Sequence, residues 1–165
     1  MRNINSSIFI LCLYIKTVII LGYKEIIVDS MVLVTADNYF TLKLTCYQAE
    51  ASGYQRDYYY TLNLIDGKRM HLKDIFTENA DYVTPISDEI KKQMQEQMAK
   101  DDGVKYWLND EYEDINFNSI SEDESFYINP NNNVVICFNQ GAVAPMYMGC
   151  LEFEIPGEVL SNIRK

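Results

Sequence analysis

Residue types that could carry out catalysis are sparse in this chain. It has one histidine, His71, so a Ser-His-Asp triad or a multi-histidine metal site would depend on that residue alone. His71 follows a predicted turn, where an ordinary surface histidine is the commoner case. Paired carboxylates abound in so acidic a sequence, and no pair identifies a catalytic acid and base without a pocket around it. We therefore expect no catalytic residue and no cofactor.

One acidic segment has part of the spacing of a calcium-binding loop. Asp114, Asn116 and Asn118 match the opening ligand positions of such a loop. The match then fails, because Ser119 replaces the required glycine and Ser125 stands where a bidentate glutamate belongs. We expect a solvated acidic loop here and no metal site.

The four cysteines lack both the C-x-x-C spacing of a zinc site and the density of a disulfide scaffold. Two of them, Cys137 and Cys150, could meet across neighbouring strands, and the alternative is that they are buried free thiols. The sequence leaves the redox compartment open. The full set is Cys12, Cys46, Cys137 and Cys150.

A different chemistry, the recognition of another protein, is indicated near the end of the chain. Within residues 132–156 a strongly apolar segment is followed by Pro145, Met146, Tyr147 and Met148, and then by an alternating segment. Contiguous apolar side chains displayed to water usually mark a contact surface. The loop therefore predicts one half of a protein-binding site.

The charge balance narrows the class of partner. The chain has 24 acidic and 14 basic residues and a formal net charge of −10. This charge repels nucleic acid and anionic lipid surfaces and attracts basic proteins. The 13 tyrosines and 7 phenylalanines favour a β-rich binding protein, because tyrosine suits both sheet faces and recognition surfaces. We expect no nucleic acid partner.

The elements that would position this loop begin with antiparallel strands. We predict strands at residues 26–34, 39–47 and 58–65, a turn at Asp37-Asn38, and a loop over residues 48–56 that is too long for a tight turn. Asp66-Gly67 predicts a type I′ turn that returns the chain along residues 68–72. Residues 72–76 predict a short helical turn.

The alternation in the second strand predicts which of its faces is buried. Apolar side chains alternate there with polar ones, so we expect the apolar set to be buried and the polar set to face water. The apolar set comprises Phe40, Leu42, Leu44 and Cys46, and the polar set Thr41, Lys43 and Thr45.

One long helix is predicted after the first half. Thr84 is the expected cap, Pro85 the first helical residue, and Gly103 follows the end. An apolar stripe at helical spacing predicts the face that packs on the sheet. Its members are Ile86, Ile90, Met94 and Met98.

The second half adds a hairpin, a last strand and a short helix. We predict strands at Phe126–Ile128, Val134–Phe138 and Leu151–Ile155, and a helix over residues 157–163. The hairpin loop at residues 129–133 consists of turn-forming residues. The predicted fold class is α+β, with an antiparallel sheet of hairpins packed against one main helix and a short C-terminal helix.

The N-terminal residues 8–21 are mostly apolar, with Lys16 among them. A membrane-spanning helix needs about 20 apolar residues, so the run is too short to be one. It is either the remnant of a signal or anchor, although no small-residue cleavage site follows, or a helix or edge strand that packs on the domain. A displaced start codon or a truncated gene is a further alternative. We expect residues 22–165 to form a single domain, apart from residues 1–21.

Four motifs in order resemble one known domain family. They are YYYTLNLIDGKRMHLKDIF (58–76), ISDEIKKQM (86–94), SFYINPNNNVVICF (125–138), and VAPMYMG with EFEIP (143–156). This arrangement resembles the extracellular domain of the RsiV family of anti-sigma factors of Gram-positive bacteria, which also occurs beside the catalytic domain of the peptidoglycan deacetylase PdaC. The resemblance implies an α+β fold, an extracytoplasmic location that is secreted or associated with the cell envelope, and, in anti-sigma members, binding of c-type lysozyme.

The resemblance also implies particular contact residues. Members that bind lysozyme insert a Pro-x-Tyr loop and a small-residue hairpin loop into the cleft of the enzyme. Pro145 and Tyr147 match the first loop, Ser52 with Gly53 matches the second, and Met146 either adapts to the partner or faces inward. Tyr54 and the acidic residues 110–114 are weaker candidates for contacts at the rim.

These observations leave three classes of function. The first is an extracytoplasmic binding domain for a basic protein, with c-type lysozyme as the partner that the resemblance names. The second is an accessory domain of a cell-wall enzyme or envelope protein. The third, an enzyme, has no candidate residues to support it.

Overall fold

The computed structural model describes residues 17–21, 24–36, 38–49, 52–109 and 113–165. The proposed signal or anchor segment up to residue 16, with Cys12, lies outside the described residues, as does Asp37 of the first predicted turn. Among the residues described, no helix has both the length and the apolar character needed to span a membrane.

The first half of the chain forms a four-stranded antiparallel sheet in the order β1-β2-β3-β4. Its strands are β1 (Thr17–Leu21), β2 (Lys24–Ala36), β3 (Tyr39–Ala49) and β4 (Gly53–Asn63). β-Branched and aromatic residues are frequent in these strands, and such side chains fit a pleated surface. The last part of the apolar N-terminal run is thus an edge strand, β1.

The second half forms a separate three-stranded antiparallel sheet in the order β5-β6-β7. Its strands are β5 (Phe126–Ile128), β6 (Val134–Phe138) and β7 (Leu151–Ile155), with the predicted bounds. All residues of the central strand β6 are buried, because this strand is covered on both faces. In the β5–β6 loop, the carboxamide oxygen of Asn129 accepts hydrogen bonds from the backbone of Asn131 and Asn133.

The main helix α1 (Val83–Lys100) covers one face of the smaller sheet. Its predicted stripe is confirmed, since Ile86, Ile90 and Met94 are fully buried and Met98 packs against the same core. The predicted cap at Thr84 is wrong. The helix begins two residues earlier than predicted, at Val83, and the Asp81 carboxylate accepts the hydrogen bond from the backbone N–H of Thr84 at 3.0 Å.

The short helix α2 (Gly157–Leu160) packs against α1 and ends three residues before the predicted position. The chain leaves the helix there because the carbonyl of Ile163 accepts a hydrogen bond from Thr77. This contact holds the C-terminal segment against the loop that precedes α1.

The described residues form three layers, in the order four-stranded sheet, three-stranded sheet, helix. One face of the smaller sheet packs on α1 through residues such as Ile136 and Phe153, and the other packs on the larger sheet, where Tyr59 contacts Val135 and Cys137. The predicted α+β class is confirmed. The strands form two sheets rather than one, because β5 to β7 form their own layer between β1–β4 and the helix.

The prediction of the buried face of β3 is wrong. The polar residue Thr41 is fully buried, and its hydroxyl lies 3.0 Å from that of Thr61, which donates to the carbonyl of Phe126. The apolar set is half-exposed on the opposite face, here called the outer face. The alternation identified two faces correctly, but the face that meets the smaller sheet uses polar side chains with dedicated partners. The outer-face residues of β3 are Phe40, Leu42, Leu44 and Cys46.

Two predicted turns also differ from the structure. The predicted long loop over residues 48–56 is wrong, because β3 and β4 pair as far as Ala49 and Gly53. The polar side chains in this range do not interrupt β3 and β4, because both faces of the strands are partly exposed to water there. The two-residue turn at Asp66-Gly67 is wrong as well. The backbone N–H of Asn63 donates to the Lys68 carbonyl and closes a longer loop, in which Gly67 has a positive φ of 70°.

The returning strand predicted for residues 68–72 is reduced to one bridge, between Leu62 and Arg69. The helical turn predicted next is present as a 3₁₀ turn, Leu72–Ile75. The chain bends away from β4 here because Leu72 and Ile75 are drawn into the main core.

Candidate functional site

The predicted contact loop is a 3₁₀ turn, Met146–Met148, that begins after Pro145. The Tyr147 side chain is 69% exposed and that of Met146 is 44% exposed. The turn is closed by backbone hydrogen bonds from Met148 to Pro145 and from Gly149 to Met146. Gly149 has a φ of 72°, a conformation that glycine adopts without strain. The loop thus displays large apolar side chains on a regular backbone.

The exposed Tyr147 side chain is fixed at its far end. Its hydroxyl donates a hydrogen bond to the carbonyl oxygen of Gly103 at 3.1 Å. Gly103 lies in the turn after α1, and its own N–H donates to the Asp101 carboxylate at 2.8 Å. The ring is therefore held in one orientation before any partner arrives.

Met146 rests on its own loop rather than in the core. A Cβ atom added to Gly141 would lie 2.7 Å from the Met146 Sδ, and Gly141 has a φ of 81°. The thioether therefore occupies the space above Gly141. Of the two expected roles for Met146, that of an inward-facing core residue is wrong, because the side chain is 44% exposed, and a partner contact stays a prediction.

The second predicted contact region is the tip of the β3–β4 hairpin. Ser52 is exposed, whereas Gly53 is the first residue of β4 and lies under the ring of Tyr47. A Cβ atom at Gly53 would lie 2.0 Å from the Tyr47 hydroxyl oxygen, so any other residue here would require the Tyr47 ring to move. Gly53 permits the close approach of the Tyr47 ring and is not a loop residue.

Tyr54 is half-buried and pairs with a cation. Its hydroxyl accepts a hydrogen bond from Arg56 Nε at 3.2 Å, and the guanidinium carbon lies 5.2 Å from the centre of the Tyr54 ring. These two residues lie on the outer face of β4, beside Tyr58 and Gln48, around a cavity of about 160 Å³. Tyr54 is thus turned toward the outer face of the sheet.

One glutamine side chain makes hydrogen bonds to both predicted contact regions, and the Cys150 thiol adds a longer contact of 3.8 Å to the Gln55 carbonyl. The Oε1 atom of Gln140 accepts a hydrogen bond from the backbone N–H of Gln55 at 2.7 Å, and its Nε2 atom donates to the carbonyl of Met146 at 2.7 Å. The neighbouring Asn139 accepts from the backbone N–H of Asp57 at 2.7 Å. Sequence reasoning missed both residues, which read only as polar residues after a buried strand.

A polar cluster lies behind this bridge, between the two sheets. Lys43 Nζ lies 2.8 Å from Asp57 Oδ2 and 3.3 Å from Glu152 Oε1. The hydroxyls of Tyr59 and Tyr127 donate to the two oxygens of Glu152 at 2.8 and 2.9 Å. Each acid in the cluster therefore has at least one donor or cation, as groups between packed layers require.

The electrostatics of the cluster favour a structural role. Burial raises the pKa of Tyr59, with further contributions from Cys137 and Glu152, and burial and the Glu152 contact raise the pKa of Tyr127. Burial lowers the pKa of Lys43, but its contacts with Asp57 and Glu152 outweigh this, so the pKa of Lys43 is raised. At neutral pH both phenols are therefore protonated and Lys43 is charged, so the hydrogen bonds and ion pairs that join the two sheets persist.

The cysteines in the described part of the chain are free thiols, with Cys137 buried and Cys46 and Cys150 half-buried. Burial raises the pKa of Cys137 well above its ordinary value, so this thiol is unreactive. The disulfide alternative for Cys137 and Cys150 is not realised.

The histidine and the acidic segment have minor roles in the geometry. The Nδ1 atom of His71 lies 3.7 Å from Asp123 Oδ1 on the surface. Residues 110–112 of the predicted acidic rim lie outside the described residues, and Asp114 is exposed within the 3₁₀ turn Glu113–Ile115. The backbone of Trp107 connects this segment to the chain just before the contact loop. Its carbonyl accepts a hydrogen bond from the backbone N–H of Phe117, and its N–H donates to the carbonyl of Val143.

The chain is similar in sequence to one protein family and to one curated protein. The family model described as "Protein of unknown function (DUF3298)" matches residues 73–158. The anti-sigma-V factor RsiV of Bacillus subtilis (strain 168) is 34% identical over 142 residues, which cover 86% of this chain and 49% of that protein. This chain therefore spans about half the length of the curated relative it matches.

Two solved structures share the fold. A DUF3298 family member from Bacteroides fragilis matches with a TM-score of 0.61 and 21% identity over 84% of this chain and 53% of its own. One from Pseudomonas aeruginosa PAO1 matches with a TM-score of 0.64 and 14% identity over 84% of this chain and 61% of its own. At these sequence identities, the two structures show that the fold is shared and nothing about function.

Proposed function

This chain belongs to the DUF3298 family, and from that premise we propose that it is a non-catalytic, extracytoplasmic protein-binding domain whose partner is a basic protein, c-type lysozyme first. In this proposal the domain is secreted or associated with the cell envelope. The Tyr147 loop and the tip of the β3–β4 hairpin provide the contacts. The curated relative is named an anti-sigma factor, a kind of protein that acts by binding, which supports binding over catalysis.

The observation that carries the proposal is the presentation of Tyr147. The side chain is 69% exposed while its hydroxyl is hydrogen-bonded to Gly103. Exposed aromatic side chains usually pay an ordering cost when they bind, and a ring that is already fixed avoids much of it. Tyrosine is also among the residues that most often dominate interface energies. A rigid, exposed tyrosine on an anchored loop is the arrangement expected of a binding anchor.

The charge of the chain supports the basic character of the partner. With 24 acidic and 14 basic residues, long-range attraction accelerates encounters with a basic protein. Because the attraction acts through solvent, salt screens it over a Debye length of about 8 to 10 Å. Association with lysozyme should therefore slow as salt rises.

The test is isothermal titration calorimetry of the full chain with hen egg-white lysozyme at low and high salt. Tyr147→Ala should weaken binding by about tenfold or more, while circular dichroism shows that the variant stays folded. Ile65→Ala is the matched control, because Ile65 is 78% exposed but lies beyond the other end of β4. Absence of binding at low salt, or equal losses in the two variants, would contradict the proposal.

A further inference from the structure

The side chain of Gln140 uses both ends of its amide on different segments. A glutamine amide has an acceptor at one end and donors at the other. The acceptor Oε1 binds the backbone N–H of Gln55, two residues into β4 from Gly53, and the donor Nε2 binds the carbonyl of Met146, next to Tyr147. Both contacts are 2.7 Å long. One side chain thus hydrogen-bonds to both predicted contact regions, and it does so at shorter distances than the 3.8 Å contact between the Cys150 thiol and the Gln55 carbonyl.

The point of attachment on the loop is itself fixed. The Met146 carbonyl also accepts the hydrogen bond from Gly149 that closes the 3₁₀ turn. The Met146 side chain packs above Gly141, the residue after Gln140. A displacement of Gln140 would therefore act on the whole turn that presents Tyr147.

The point of attachment on the hairpin is the open edge of β4. Edge strands carry backbone N–H groups that need other partners, and in this part of β4 the side chains of Gln140 and Asn139 accept from Gln55 and Asp57. Asn139 makes the same kind of contact at the same distance of 2.7 Å, but among the described residues its side chain hydrogen-bonds to β4 alone. Asn139 therefore supports only the edge of β4, whereas Gln140 both supports that edge and connects it to the Tyr147 loop.

We propose that Gln140 is a positioning residue that couples the tip of the β3–β4 hairpin to the Tyr147 loop, so that both meet the partner as one preformed surface. The inference rests on the proposed function for its binding consequence. Its structural consequence, restraint of the Tyr147 loop by the hairpin, concerns the free protein alone. The two consequences can be measured separately.

Three variants separate the contacts. Gln140→Ala removes both hydrogen bonds. Gln140→Glu keeps an acceptor for Gln55 but places a carboxylate where the donor to Met146 was. Asn139→Ala removes a comparable bond to the edge of β4 and leaves the bridge intact, and it serves as the matched control.

Amide hydrogen exchange of the free protein is the first measurement. In Gln140→Ala, exchange should accelerate at Gln55 and at Met148 and Gly149, whereas in Gln140→Glu it should accelerate at Met148 and Gly149 with Gln55 still protected. Asn139→Ala should affect Asp57 alone. Unchanged exchange of Met148 and Gly149 in both Gln140 variants would overturn the inference whether or not lysozyme binds.

Lysozyme titration is the second measurement. Both Gln140 variants should bind about three- to tenfold more weakly, the range expected when one or two hydrogen bonds that preorganise a site are lost. Asn139→Ala should bind lysozyme with the affinity of the wild type. Weak binding of Gln140→Ala together with normal binding of Gln140→Glu would assign the effect to the strand edge and overturn the coupling. If the wild type itself does not bind lysozyme, the proposed function is wrong. Hydrogen exchange of the free protein then still tests whether Gln140 couples the hairpin to the Tyr147 loop.

Discussion

Tyr147 and Gly103 are joined by a hydrogen bond of 3.1 Å from the phenol to the backbone carbonyl, so the most exposed aromatic contact of the loop is anchored to the turn that follows α1. The helix belongs to the main core through its fully buried residues Ile86, Ile90 and Met94. The orientation of the ring is thus set by a turn that directly follows a helix with a fully buried face. The contact loop has support at both its backbone and its side chain.

Tyr147→Phe should weaken lysozyme binding, but less than Tyr147→Ala. The variant keeps the ring and loses only the hydrogen bond that orients it, which corresponds to about 0.5 to 1.5 kcal/mol. Calorimetric titration measures the difference. The control is Tyr58→Phe, which removes the hydroxyl of a tyrosine that is 42% exposed on the outer face of β4. Equal affinities of wild type and Tyr147→Phe would show that the hydroxyl does not orient the ring for binding.

Gly53→Ala should destabilise the domain by about 1 to 3 kcal/mol, the usual cost of forcing an extra methyl group into a filled space. The added Cβ would lie 2.0 Å from the Tyr47 hydroxyl oxygen and 2.6 Å from a ring carbon. Urea denaturation measures the loss. Gly103→Ala is the control, because its Cβ would meet only the Asp101 carboxylate, at 3.2 Å.

A second change tests the cause of the Gly53→Ala effect. In the double variant Tyr47→Ala with Gly53→Ala, the ring that causes the clash is absent. The cost of adding the methyl group should then nearly vanish. A cost that persists in the double variant would mean that the backbone at Gly53, not the Tyr47 ring, opposes the substitution.

Stability should fall at alkaline pH. Burial raises the pKa of Tyr59 and Tyr127 above their ordinary value of 10.0, and the contacts with Asp57 and Glu152 raise that of Lys43 above 10.5. Because the unfolded chain releases these protons first, the stabilisation is complete below about pH 10 and is lost as pH rises further. Urea midpoints at pH 7.5, 10.5 and 11.5 compare the full stabilisation with its decline.

Tyr127→Phe should make this decline shallower, since it removes one of the groups with a raised pKa. It should also lower stability at pH 7.5 by about 1 kcal/mol, because Glu152 loses a hydrogen-bond donor. The difference between variant and wild type should therefore shrink as pH rises. A difference that stays constant over this range would argue against a contribution of Tyr127 to the alkaline decline.

The two faces of β3 should differ in how strongly the same added charge destabilises the domain. Thr41→Lys places an ammonium at a position with no exposed surface and should cost about 3 kcal/mol or more. Leu44→Lys adds the same group to the half-exposed outer face, where the charge can reach water, and should cost about 1 kcal/mol. Urea denaturation of the two variants compares them directly. The alternation of the sequence alone predicts the reverse order.

Local patterns were sufficient to predict several elements. The stripe of α1 was visible because helical spacing places Ile86, Ile90 and Met94 on one face. The β5–β6 hairpin was visible because apolar residues surround a loop of turn formers. The exposed loop at Tyr147 was visible because apolar residues follow a proline there. Each of these features depends on neighbouring residues only.

Features that depend on distant segments could not be predicted. The buried position of Thr41 depends on Thr61 and on the carbonyl of Phe126 in another sheet. The role of Gln140 depends on Gln55, 85 residues earlier in the chain. A glutamine after a strand has no sequence signal for such a partner. The sequence thus allowed contact residues to be proposed in two segments, but it gave no sign of the side chain that connects these segments.

The outer face of the larger sheet has a consequence for the distribution of charge. The outward positions of β2, β3 and β4 include no aspartate or glutamate, and they include Arg56. The helix α1, in contrast, has three acidic and three basic residues. In a chain with net charge −10, these three strands thus present a face without negative charge. A cationic protein that collides with this face gains no local electrostatic attraction from it, so encounters of that kind should be short-lived.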